Sequence, residues 1–518
     1  MSDPWLQALS NVFQFDVLAV IVLAATYGLF VGAIPGLTAT MAVALLVPFT
    51  FFLGETPALA AIVTLEACAI FAGDIPTALV RIPGTPSSAA YADDAYAMTR
   101  RGRSDEALGT ALVFSVVGGL LGALVLMALA PQLARVAFYF TTYEYFWLTL
   151  LGLSCAAIVS QGSRLKGAVA LVIGLLLSTV GLSAVHSTPR FTFGRDELIT
   201  GVNFIPAMIG LFGVSEVLRN AIVLAERKGH ADAETTIPAA GGGGGIWSFV
   251  VRSIGAVFAA PLRLLRERKV PCLRSSAIGS LVGMLPGAGA DIGAWISYAV
   301  SKRFSKNPTE YGKGSAEGLA DATCANNSAL AGAWVPSLVF GIPGDSITAI
   351  VIGVLLMKNV SPGPEIFEKQ PELVYGIYIT FVLANLLLLP LGFLAISCGR
   401  FLVRLPRRVL LPMILLFSIV GSYAIGGSFF DVGVMLGMGV LGFALESCRV
   451  PLGPVVLGII LGGRLEEYFI QNLTKSDSFF DFFSRPLAGL LGSLTLILWL
   501  TPLFRALVRR TRKPGGSI

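Results

Sequence analysis

The chain has 518 residues, 55% of them hydrophobic and 13% charged, about half the charged share of an ordinary soluble domain. That balance excludes a soluble globular enzyme and points to an integral membrane protein; 58 Gly and 28 Pro suit helices that break or pack closely in lipid. The net charge of +6 arises from clusters beside apolar spans, such as Arg100/Arg101/Arg103 and Arg505/Arg509/Arg510, which fits short cytoplasmic loops and excludes nucleic-acid binding.

From the N-terminus, residues 1–80 contain no Lys or Arg, so the start of the chain lacks the basic region of a signal peptide and is expected to stay on the mature protein. Apolar runs long enough to cross a bilayer are predicted at 15–33, 108–130, 144–160, 165–185, 204–225, 374–397, 408–425, 430–447 and 486–504. Shorter or interrupted pieces lie at 37–53, 57–72, 275–300, 328–341, 346–357 and 451–463. A linker at 226–272 carries the Gly241–Gly245 tether and a piece, Ile246 to Leu265, that reads as an amphipathic helix at the cytoplasmic interface. It separates halves of similar size, 1–225 and 273–518.

The halves repeat each other. Pro76 and Pro336 each stand seven positions before a second proline, and Ile82-Pro83-Gly84-Thr85 matches Ile342-Pro343-Gly344-Asp345. Gly32-Ala33-Ile34-Pro35-Gly36 likewise matches Gly283-Met284-Leu285-Pro286-Gly287. The interval between the two matched words is 41 residues in the first half (76 − 35) and 50 in the second (336 − 286), the polar insert Lys302 to Gly314 filling the difference. The expected fold is therefore an all-α polytopic membrane protein of about 12 helical spans in two pseudo-symmetric repeats, with Pro-Gly broken or re-entrant helices. The basic cluster after the first motif faces a single Lys358 after the second, which favours inverted repeats, although a basic C-terminus then needs an extra crossing.

Irregular backbone survives at membrane depth only when it is buried in protein or lines a wet cavity. The breaks at Pro35-Gly36, Pro83-Gly84, Pro286-Gly287 and Pro343-Gly344 thus imply an internal polar site. Proline ends one segment, glycine admits a ligand to the backbone, and Thr85, Ser87 or Ser346 is expected to cap the next. Free N–H groups at a new helix start favour a carboxylate. Asn326 and Asn327, ten and nine residues before Pro336, offer amide oxygens to a cation and N–H groups to a carboxylate, or bond to a neighbouring helix. Glu66, Asp74, Asp291 and Asp345 lie near the breaks, where a carboxylate binds Na⁺ or takes up a proton. Arg81 either meets a substrate carboxylate or neutralises Asp74.

Enzyme signatures are lacking: the sequence contains no HExxH, GxSxG or Walker A. The two histidines, His186 and His230, stand too far apart for a metal site, and the six cysteines show no CxxC spacing. No catalytic residue, metal or cofactor is expected beyond a coupling ion, Na⁺ or H⁺. Two other readings stay open: an intramembrane enzyme acting on a lipid-linked carboxylate, and a passive anion channel.

Together with Asn326-Asn327, Gly353 to Phe367, Gly210 to Glu216 and Gly458 to Gly462, these motifs resemble the large membrane subunit of the tripartite tricarboxylate transporters over nearly the whole chain. The resemblance implies a multi-pass protein of the bacterial inner membrane that imports a carboxylate on a Na⁺ or H⁺ gradient, its linker and C-terminus cytoplasmic. It also implies two partners, a small four-helix membrane subunit and a periplasmic solute-binding protein. Departures from the family pattern cluster at the breaks: Asp74, Asp291 and Asp345 replace Ser or Thr, Arg81 replaces Asn, and Thr323 stands where a Glu is expected. Such crowding of carboxylates disfavours citrate and points to a smaller or less anionic substrate, or to altered ion coupling.

Overall fold

Helices account for nearly all the regular structure in the computed structural model, which describes residues 3–159, 163–183, 187–226, 246–287, 289–402, 407–475 and 478–511. His186, His230 and the Gly241–Gly245 tether lie outside the described residues. In chain order the first helices are α1 (Pro4–Val12), α2 (Phe15–Gly32), α3 (Ala39–Phe51), α4 (Glu55–Ala72), α5 (Asp74–Val80), α6 (Ala92–Arg100), α7 (Ser104–Ala137), α8 (Thr142–Val159) and α9 (Arg164–Ser178). Next come α10 (Phe204–Met208), α11 (Ser215–Glu226), α12 (Ile246–Glu267), α13 (Lys269–Gly283), α14 (Gly289–Phe304), α15 (Ala316–Phe340) and α16 (Ser346–Met357). The chain ends with α17 (Ile366–Lys369), α18 (Pro371–Leu402), α19 (Arg407–Gly426), α20 (Phe429–Ser447), α21 (Leu452–Lys475) and α22 (Pro486–Thr511).

Eight of the nine apolar runs predicted to cross are helical almost throughout; the run 165–185 is helical only to Ser178 and enters strand β1 at Gly181–Leu182, and the linker piece from Ile246 forms α12. Among the described residues six runs are long and apolar enough to span a bilayer, with four shorter apolar helices beside them, so length and composition do not reach the expected dozen. Two pieces that read as short are long in the structure. The run Glu55–Val80 is 26 residues, buried throughout from Ala58 to Leu79, and α15 is 25 residues with every side chain from Gly318 to Val339 buried. Both hold Ala, Thr, Asn or Glu in place of a continuous apolar run because they face protein and not lipid; a helix buried all round has no amphipathic stripe to reveal its length.

The repeat is a packing unit as well as a pair of words. A Cβ built on Gly28 or Gly32 of α2 would lie 2.7 Å or 2.3 Å from the carbonyl oxygens of Leu65 and Ala69 in α4. On Gly279 and Gly283 of α13 it would lie 2.1 Å and 2.2 Å from those of Ala325 and Ala329 in α15. Leu65 and Ala69 stand 260 positions before Ala325 and Ala329 (325 − 65, 329 − 69), the same interval that separates Pro76 from Pro336. Only glycine lets the two backbones come this close, and membrane helices associate through such contacts because lipid supplies no hydrophobic drive between them.

The chain forms two compact units, Met1–Arg135 with Asn203–Cys448 and Val136–Val202 with Arg449–Ile518. These cut across the two sequence halves, since each half gives residues to both. In the larger unit, Arg268, just before α13, and Arg274 within it hold the fully buried Asp321 of α15 at 2.9 and 3.0 Å, an internal anchor. Beside them the Cys272 and Cys324 sulfurs pack 3.5 Å apart. The helical run from Phe204 relaxes into a π-helical turn at Ile209–Val214, where Gly210 packs on the Met435 carbonyl of α20. In the smaller unit α21 crosses α9 at Gly458 and Gly174, and Arg190, on a two-stranded ribbon of β1 (Gly181–Leu182) and β2 (Pro189–Arg190), pairs with Glu466 at 2.8 Å.

Candidate functional site

The two long breaks share one backbone route. Each helix ends because Pro83 or Pro343 bars α geometry at the preceding isoleucine. The residue before that isoleucine turns left-handed: Arg81 at φ 56°, ψ 31° and Gly341 at φ 66°, ψ 26°. Its N–H then bonds back to the carbonyl of the first proline, Pro76 or Pro336, as do Ile82 at 3.4 Å and Ile342 at 3.3 Å. These bonds satisfy carbonyls that the missing helical turn would leave bare.

After the breaks the copies diverge. The first folds into a hydroxyl web: Thr85 Oγ1 and Ser87 Oγ are 2.8 Å apart, Ser88 Oγ donates to the Thr85 carbonyl at 2.8 Å, and Thr77 joins Ser88 at 3.0 Å. A three-residue 3₁₀ turn, Ser88–Ala90, follows, and α6 begins without a side-chain cap. The second break opens directly into α16. There Asp345, and not Ser346, is the cap: its Oδ1 accepts from Thr348 N at 2.8 Å and Thr348 Oγ1 at 2.7 Å, while Thr348 Oγ1 accepts from Asp345 N at 2.9 Å, a reciprocal capping box. The cap expected of Ser346 is thus corrected, because an aspartate one residue earlier reaches the same N–H groups and carries charge toward the positive helix end.

The start of α14 lies between the breaks. Asp291 Oδ1 accepts from Ser87 N at 3.0 Å, and Trp295 donates to the Pro86 carbonyl at 3.3 Å. On the other side, a Cβ on Gly289 would meet Asp345 Cβ at 2.9 Å, and Gly287 N donates to the Gly344 carbonyl at 2.7 Å. The breaks at Pro83, Pro286 and Pro343 therefore converge. Pro35-Gly36 is also a break, α2 ending at Gly32 and α3 starting at Ala39, with Gly36 at φ 91°.

A second layer backs the site. Tyr91 donates to Asp74 at 2.6 Å. Asn327 turns the other way and donates to the Ser115 carbonyl of α7 at 3.0 Å. Both amide oxygens, Asn326 Oδ1 and Asn327 Oδ1, are buried without a partner. Glu66 receives the Trp334 indole N–H at 3.0 Å. Arg81 is placed elsewhere: 60% exposed, it pairs with Asp93 at 2.6 Å and not with Asp74. Sequence reasoning missed Tyr91, eight residues after Pro83, and Trp334, two before Pro336; their signal was a polar-edged aromatic close to each break. It also missed Asp94, which ties the repeats by accepting from Tyr298 at 2.6 Å and from Gly314 and Ser315 N at 2.8 Å.

Glu66, Asp74, Asp291 and Asp345 thus gather around the breaks, and among the described residues none has a Lys or Arg within ion-pair distance. Each is held by neutral donors alone, Trp334, Tyr91, Ser87 and Thr348. A cavity of about 530 Å³ lies away from the breaks, lined by Arg103, Glu106, Arg263 and Glu267; its mixed charges favour neither ion sign.

Residues 18–457 match the model of the family described as "Tripartite tricarboxylate transporter TctA family". The chain belongs to that family. It is therefore a membrane component of a tripartite transporter system, as the duplicated broken helices suit. It is 34% identical over 488 residues to an Agrobacterium vitis protein described as "Uncharacterized 52.8 kDa protein in TAR-I ttuC' 3'region", covering 92% of each chain. A second A. vitis protein, "Uncharacterized protein in TAR-II ttuC' 3'region", is 35% identical over 233 residues, 44% of this chain and 96% of its own. No solved structure matches.

Proposed function

We propose that this chain is the large transmembrane subunit of a binding-protein-dependent secondary transporter. In this reading it sits in a bacterial inner membrane and imports a carboxylate, with a small membrane subunit and a periplasmic solute-binding protein as partners. A Na⁺ or H⁺ gradient drives it, and two repeats of opposite orientation alternate access around the breaks. The substrate is held between Ile82–Ser88 and Ile342–Thr348, against the start of α14 and within reach of Asn326.

The observation that carries this reading is the set of four uncompensated carboxylates around converging breaks. An anion cannot settle beside them unless positive charge arrives with it, so coupling to a cation is a consequence of the site's own charge. The same charge argues for a small carboxylate over citrate. Because the Asp345 carboxylate already occupies the N–H groups of α16, that helix start accepts a substrate carboxylate only after Asp345 moves or is neutralised.

The test is reconstitution of the three proteins in vesicles with labelled carboxylate. Accumulation above equilibrium is expected only with both the binding protein and an ion gradient present. Chemical conversion of the substrate without either would establish an enzyme, and uptake that stops at equilibrium a channel.

A further inference from the structure

Of the four carboxylates, Glu66 is the one with a buried oxygen that lacks a hydrogen-bond partner. It lies in the stretch Ala58–Leu79, buried throughout, is itself 0% exposed, and is held by a single hydrogen bond, from Trp334 Nε1 to Oε2 at 3.0 Å. The other oxygen, Oε1, is buried with no partner. A carboxylate in such surroundings is costly when ionised.

The repeat states what the fold holds at the same place in its other half. Glu66 stands ten positions before Pro76 and Asn326 ten before Pro336 (76 − 66, 336 − 326), on helices whose glycine contacts are matched pair for pair. One repeat thus carries an amide, neutral with one acceptor oxygen and N–H donors. A protonated glutamic acid is its nearest equivalent: neutral, with a carbonyl for the Trp334 N–H and an O–H on Oε1.

We propose that Glu66 carries the coupling proton of the transport cycle. This deepens the transporter reading and rests on it. The charged group that faces Glu66 is Asp345, at the start of α16; α15 presents Trp334, and Asp74 on α5 is engaged by Tyr91. Among the described residues no cation from α2, α3, α15 or α18 pairs with it. A metal ion suits the position poorly. The indole N–H points its positive end at the carboxylate, one oxygen is left free, and the described residues contain no group of three His, Cys, Asp or Glu close enough to hold a metal ion, whereas a small hard cation seeks several oxygens. In the cycle, the Oε1–H bond forms with a proton from water on the side where substrate enters. It breaks by returning that proton to water on the other side, so one positive charge accompanies the anionic substrate. With Glu66 neutral, Asp345 no longer faces a second negative charge across the site.

Glu66→Gln, which keeps an acceptor for Trp334 and fixes the neutral state, tests this in vesicles holding the complete three-protein system. The expected result is loss of pH-gradient-driven accumulation, with a slower downhill flux that no longer responds to pH. Wild-type accumulation by E66Q under a pH gradient would overturn the inference and leave the transporter reading intact; absence of any wild-type uptake would count against that reading instead. A transport-independent check is infrared difference spectroscopy of the purified protein on a pH step. A protonated-carboxyl carbonyl band present in wild type and absent in E66Q is expected, and identical spectra would overturn the inference. Trp334→Phe, at a positioning residue, removes the one donor to the carboxylate and is expected to move the pH profile of transport toward alkaline pH, while a polar residue of purely structural role would leave that profile in place.

Discussion

The break after Pro76 and the break after Pro336 follow one backbone path and present different chemistry. In the first, an exposed arginine takes the left-handed position, a neutral hydroxyl web closes the turn, and the chain leaves through a short 3₁₀ turn. In the second, a buried glycine takes that position and a capping aspartate launches a buried, apolar twelve-residue helix. Proline spacing dictates the route, because it fixes where helical geometry must fail. What fills the turn is free to differ, and here it makes one wall neutral and the other anionic.

Exchanging the left-handed residues should break this contrast most severely. Gly341→Arg adds a side chain at positive φ, costing about 1–2 kcal/mol, and buries a guanidinium with no partner, costing several more. Arg81 is tolerated because it is exposed and paired with Asp93. We expect G341R to fail to give a monodisperse, folded protein in size-exclusion chromatography; normal elution and melting would mean that the two breaks are interchangeable.

A smaller effect is expected where the breaks are alike. A Cβ on Gly84 would lie 2.4 Å from Gly73 Cα, and on Gly344 2.6 Å from the Gly283 carbonyl oxygen and 2.8 Å from Ala333 Cα. Gly84→Ala and Gly344→Ala should each destabilise by about 1–3 kcal/mol, read as matched drops in thermal unfolding midpoint. A drop in only one would confine the close backbone approach to that repeat.

The breaks and most helices were legible in the sequence because proline and glycine act locally and lipid-facing helices are apolar along their length. The run through Glu66 and the helix through Asn326 were legible only in pieces, since helices buried in protein are as polar as their neighbours allow. The site was half legible. Thr85, Ser87, Asp291 and Asp345 announce themselves beside Pro-Gly, but that Asp291 bonds to Ser87 across 204 positions is set by helix packing that no local word encodes. Arg81 shows the converse: its place in the motif suggested a ligand contact, while the left-handed turn swings it to Asp93.

Asp345 separates a structural role from an electrostatic one. Asp345→Ala loses the cap of α16 and should cost about 1 kcal/mol, whereas Asp345→Asn keeps a good capping oxygen and should melt close to wild type. If Asp345 also sets the charge that the substrate meets, D345N will change the pH dependence of uptake despite its normal stability. An unchanged pH profile and rate would reduce Asp345 to a cap and remove the anionic wall from the comparison.

Arg81→Gly should have the smallest effect. It relieves the strain of a non-glycine residue in the left-handed turn, a gain of about 1 kcal/mol, and loses an exposed ion pair worth about 0.2–1 kcal/mol. The two nearly cancel, so its unfolding midpoint should stay within a few degrees of wild type, about what a change under 1 kcal/mol produces. Uptake then decides between positions for the side chain. Normal uptake fits the pairing with Asp93 outside the site. A folded R81G protein without uptake would mean that the guanidinium leaves Asp93 during the cycle and enters the site, where it would supply the positive charge that the four carboxylates lack.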